Sequence, residues 1–132
     1  MKINLRTVFH PETILEFLLH NCYSRRAKIL FECDCRESEL KYIGCEIEDW
    51  RKKLIENMRK ENKSVLLIEN DYWNSSRRAF SAARAAVREY VDFISKDLEI
   101  GSEWVRKREE ARKKEYNRQI NNLCNYIERE KI

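Results

Sequence analysis

The chain has 132 residues, 42% of them hydrophobic and 38% charged, with a net charge of +4. So many large apolar side chains exclude a disordered polymer, and the length is that of one ordinary domain, so residues 1–132 are expected to form a single compact unit. No apolar run approaches the roughly 18 residues that cross a bilayer, and the opening "MKINLRTVFHPE" interleaves charge where a signal peptide is continuously apolar, which places the protein in the cytoplasm without a membrane partner.

In chain order, residues 2–8 alternate apolar and polar side chains, as a half-buried strand does. Pro11 suits the first position of a helix running to about Tyr23, with Ile14, Leu15, Leu18, Leu19 and Cys22 on its apolar face. Residues 27–33, "AKILFEC", read as a buried strand; a helix is the other reading of an apolar run whose periodicity decides nothing. Asp34 and Glu37 then form a capping box for a helix from Cys35 to Glu61, in which Leu40, Ile43, Ile47, Trp50, Leu54 and Met58 recur every three or four positions. Its one interior glycine, Gly44, costs about 1 kcal/mol.

Residues 64–69 are apolar and β-branched, a third strand, and 70–76 carry turn chemistry. A helix from Ser75 or Ser76 turns Phe80, Ala83, Val87, Tyr90, Ile94 and Leu98 inward. Gly101 ends it and Ser102 caps the last helix, residues 103–130, so the two fold back as an αα-hairpin. The order strand, helix, strand, helix, strand, helix, helix gives an α+β or α/β fold, predominantly helical, with a small three-stranded sheet covered by helices. An all-α bundle is the alternative if 27–33 and 65–69 are helical.

For function, "RRAFSAARAAVREY" (77–90) is the informative stretch. Arg77, Arg84 and Arg88 fall on one stripe at 100° per residue, Arg78 lies beside them, and no acid stands between 77 and 88. The second basic cluster is Arg25, Arg26 and Lys28, of which the two arginines are candidates. Residues 106–118 form a third, with seven basic and three acidic side chains; Arg106, Arg108, Arg112 and Lys113 belong to it. These ten residues are the candidate surface for an acidic protein or a nucleic acid, the two being equally supported, with Tyr72, Trp73 and Trp104 near enough in sequence to contribute stacking. Against nucleic acid stands the acidic band 32–49, seven acids to two bases, which is also a candidate internal partner for the arginines.

The sequence thus reads as a non-enzymatic binding protein of adaptor, repressor or inhibitor type. Small proteins of phages and mobile elements share this size and composition. The alternative is a metal-dependent enzyme on nucleic acid: Asp34, Glu69 and Asp71 would gather at the carboxyl ends of parallel strands, near His10, and hold Mg²⁺. His20, Cys22, Cys33 and Cys35 have single-residue gaps that fit zinc poorly, so no metal is assigned. Five cysteines at irregular spacing point to reduced thiols rather than a disulfide framework. With glycine only at 44 and 101, no glycine-rich phosphate loop can form, and no cofactor or catalytic residue is assigned. The near-heptad seam of the helix 35–61 offers a route to a homodimer.

Overall fold

A computed structural model describes residues 9–43, 49–61 and 71–130, and these form five helices: α1 (Pro11–His20), α2 (Arg25–Ile43), α3 (Asp49–Glu61), α4 (Asp71–Ser95) and α5 (Ser102–Glu130). Among the described residues there is no strand, so the three-stranded sheet is overturned and the all-α arrangement is the one adopted. The strands expected at 2–8 and 64–69 lie outside the described residues. The one expected at 27–33 lies within α2.

The reason is the position of α2. Ser24 caps it, its Oγ accepting the Ala27 N–H at 3.1 Å. Downstream, α2 is buried on opposite flanks. Phe31 and Cys35 join a core with Leu15 and Leu19 of α1, Ala83 and Val87 of α4, and Ile120 and Leu123 of α5. Ile29, Cys33 and Leu40 join a second core with Ile55 and Met58 of α3. A helix enclosed on both sides is apolar on both sides, and over seven residues that pattern is the same as a buried strand's. Asp34 is therefore an interior residue of α2, not a cap.

The expected single helix over 35–61 is also corrected. On one straight helix Cys33 and Ile55 would be about 33 Å apart at 1.5 Å per residue. Instead the Cys33 thiol lies 3.9 Å from the Ile55 carbonyl, so α3 folds back on α2. Residues 44–48, Gly44 among them, lie outside the described residues. Leu40, Ile43 and Met58 of the seam proposed for dimerisation pack within the chain, in the core that α2 and α3 share.

Helix α4 begins at Asp71, ahead of the expected Ser75, and ends at Ser95, ahead of Gly101. The Ser95 hydroxyl closes it by donating to the Val91 carbonyl at 2.7 Å. Ala79, Ala82, Ala83 and Ala86 are buried, so the small residues of the arginine-rich stretch serve close packing inside the protein, and Ile94 is exposed rather than inward. The αα-hairpin holds: α4 and α5 pack together, and Gln119 of α5 donates to the Ala83 carbonyl at 3.1 Å. The Gly101 carbonyl accepts the Val105 N–H as α5 starts.

Two buried groups set the behaviour of this core. Lys28, 1% exposed, donates from Nζ to the Ser76 hydroxyl at 3.2 Å, which in turn donates to the Leu19 carbonyl at 2.9 Å, tying α2, α4 and the end of α1. Burial lowers the Lys28 pKa. Replacing a buried cation by an apolar side chain of similar length is commonly neutral or stabilising, whereas truncation leaves a void. Lys28→Met is therefore expected to leave stability unchanged or raise it by up to about 2 kcal/mol, and Lys28→Ala to lower it, in chemical denaturation.

The Cys33 thiol is pushed from 9.0 up to about 12 by burial, and burial moves Cys35 in the same direction. Between pH 9 and 12 the native chain keeps the Cys33 proton that the unfolded chain has released, so raising the pH favours unfolding. Stability should fall across that window by as much as about 1.4 kcal/mol per pH unit per thiol. Cys33→Ala should show a shallower decline in urea titrations run above pH 9; an unchanged slope would refute the assignment.

Candidate functional site

The first half of α1 is a scaffold for one side of a groove. Leu15 and Leu19 are fully buried, which leaves Glu12, Glu16 and His20, spaced four apart, on another face of the helix. His10 fixes the entry. Its Nδ1 accepts the Glu12 N–H at 3.1 Å, so Nε2 carries the proton and donates to Glu109 of α5 at 3.0 Å. Its ring meets Tyr116 edge to face at 6.2 Å.

Between α1, α4 and α5 runs a groove of about 810 Å³, into which Arg77, Arg84, Arg88, Arg108 and Arg112 all open, with Glu16 the one carboxylate among the described residues of its lining. The structure thus gathers five of the ten candidate binding residues in one place, from two helices separated in sequence. The other five lie elsewhere. Arg78 is half-buried on α4. Arg25 and Arg26 are exposed on the first turn of α2, with Arg26 3.7 Å from Glu130. Arg106 is held on α5 by Glu103 and Glu110 at 2.6 and 2.9 Å, and Lys113 is exposed.

Four of the groove arginines divide by how they are held. Arg108 donates to Ser95 at 2.7 Å, pairs with Asp92 at 2.9 Å and lies over the Trp104 ring. Arg112 is bound to Glu12 and lies over Tyr116. Both are committed to joining helices. Arg84 and Arg88 are different: their side chains are about two-thirds exposed, and their ion pairs, to Glu12 at 3.4 Å and to Glu89 at 3.9 Å, are longer than a charge-assisted hydrogen bond. Their forks retain donors for a ligand.

Among the described residues, Arg84 of the stripe finds its acid in Glu12 of α1 and Arg88 in Glu89 of α4. Of the acidic band, Asp34 and Glu37 bind Arg59 of α3 at 2.8 and 2.7 Å. Asp34 also accepts from Asn122 at 2.8 Å and from the Tyr126 hydroxyl at 2.5 Å. Both carboxylate oxygens are occupied by chain donors. Of the other two proposed magnesium ligands, Glu69 and the side chain of Asp71 lie outside the described residues. Cys22, Cys33 and Cys35 are buried free thiols, and among the described residues no group of three or more His, Cys, Asp or Glu is placed to hold a metal. No helix among them is long and apolar enough to cross a membrane.

Sequence reasoning missed Glu12, Glu16, His20, Phe80 and Tyr116 as parts of this site. A signal existed in the four-residue spacing of Glu12, Glu16 and His20, a polar stripe on a short helix. What the sequence lacked was the docking of α1 against α4 and α5. Because Glu12 occupies the position a ligand carboxylate would take, Glu12→Gln is expected to strengthen binding of an acidic ligand a few-fold while weakening the tie between α1 and α5 by about 1 kcal/mol. Calorimetric titration together with thermal melts would check both.

The chain matches no protein-family model, no curated protein and no solved structure.

Proposed function

We propose that this is a non-enzymatic binding protein, of adaptor, repressor or inhibitor type acting in the cytoplasm, that receives an acidic partner in the groove between α1, α4 and α5. The observation that carries this reading is the convergence of five arginines from α4 and α5 on one concavity, with Arg84 and Arg88 exposed and only loosely paired. Arginine suits the task, because its planar fork binds carboxylate or phosphate through two parallel hydrogen bonds. Arg108 and Arg112 set the groove's shape, and Arg84 and Arg88 meet the ligand.

The test is affinity capture from the native cell with wild-type chain and with Arg84→Glu/Arg88→Glu. A partner recovered by the first and lost with the second supports the proposal. Equal recovery of every partner by both would refute it.

A further inference from the structure

The occupant of the groove can be narrowed, resting on the reading above. From the signs and spacing of the groove charges we infer that it is an acidic amphipathic helix of a protein partner rather than a nucleic-acid strand.

Carboxylates flank the arginines of the groove. Glu16 lines the groove, Glu12 sits between Arg84 and Arg112, Glu89 lies beside Arg88, and Asp92 is bound to Arg108. A uniformly anionic backbone laid along this groove would meet a carboxylate near almost every arginine, a costly juxtaposition, whereas a protein surface can place carboxylates only where the arginines are. The aromatic faces are also taken. The Arg84 guanidinium lies over Phe80 at 5.9 Å and that of Arg112 over Tyr116 at 6.0 Å, which removes the open stacking platforms that single strands use.

The spacing fits a helix. Arg84 and Arg88 are about 6 Å apart along α4, and Arg77 and Arg84 about 10.5 Å, at 1.5 Å rise per residue. A partner helix lying antiparallel to α4 matches all three arginines with carboxylates at i, i+4 and i+11, and half-buried Ala85 between Arg84 and Arg88 leaves room for its apolar side chains.

The test is fluorescence anisotropy on the whole chain at about 150 mM salt, where weak phosphate contacts are screened. Three probes are compared: a helical peptide with Glu at i, i+4 and i+11 and Leu on the same face, its scrambled twin, and an oligothymidylate of equal length. The patterned peptide should bind at least roughly tenfold more tightly than the other two. Arg84→Glu/Arg88→Glu should remove that advantage, and Lys52→Glu/Lys53→Glu, exposed on α3, should keep it. Circular dichroism confirms that each variant is folded. Oligothymidylate binding as tightly as the patterned peptide, or the twin doing so, overturns the inference. If no probe binds while Arg84→Glu/Arg88→Glu still loses a native partner, the helix inference falls and the groove reading stands; if that variant loses no partner, both fall.

Discussion

Asp34→Ala should be among the most destabilising substitutions of a partly exposed residue in this protein, lowering unfolding free energy by about 2–4 kcal/mol and the melting temperature by roughly 10 °C. Asp34 is half-buried at the meeting of three helices. Arg59 of α3 donates to one carboxylate oxygen, and Asn122 and Tyr126 of α5 donate to the other. Removing the carboxylate leaves a guanidinium, an amide and a phenol with one partner fewer each, although Arg59 keeps Glu37. The Tyr126 hydroxyl carries a diagnostic. Burial first, and the hydrogen bond to Asp34 next, push its pKa from 10.0 up to about 12, so spectrophotometric titration of Asp34→Ala should bring one tyrosine back toward its ordinary value. Tyr126→Phe alone should cost about 1 kcal/mol, and adding it to Asp34→Ala should cost less than the sum, since both remove the same bond. Strict additivity in that double-mutant cycle would show that the bond contributes nothing.

The second large effect concerns binding with little change in folding. Arg84→Glu/Arg88→Glu should weaken capture of the acidic partner by about a hundredfold or more, a change of roughly 2.7 kcal/mol. Two attractive contacts become two repulsive ones, and the new carboxylate at position 84 would also face Glu12 across the groove. The fold should tolerate this. Both side chains are mostly solvent-exposed, Arg112 still holds Glu12, and exposed substitutions usually stay within about 0.5 kcal/mol. Binding lost at unchanged melting temperature is the expected pair of readings. Arg84→Lys/Arg88→Lys should recover only part of the affinity, because an ammonium keeps the charge and loses the fork.

How far these sites can be read from the sequence depends on whether their partners are local. Pro11 places the start of α1. The stripe of Tyr116, Ile120 and Leu123 finds the buried face of α5, and the spacing of Arg77, Arg84 and Arg88 finds the basic side of α4, because each is a periodicity of one helix. Residues 27–33 read as a strand since a helix buried on two flanks loses its period. Asp34 looks like a cap because Glu37 follows at the capping-box distance, although its real partners lie 25, 88 and 92 residues away. The arginine stripe poses the question of its counter-charge, and the part of the answer that Glu12 supplies to Arg84 cannot be had from α4 alone. It requires knowing that α1 lies across both α4 and α5.

The most direct test of the central claim is chemical-shift mapping of the isotopically labelled chain as the partner recovered by capture, or the acidic helical peptide, is added. The expected perturbations concentrate on Ser81, Arg84, Ala85 and Arg88 of α4 and on Arg112 of α5, and they vanish in Arg84→Glu/Arg88→Glu. Perturbations centred instead on the α2–α3–α5 junction around Asp34 and Arg59, or on the tip of the α4–α5 hairpin at Ile100 and Val105, would contradict it.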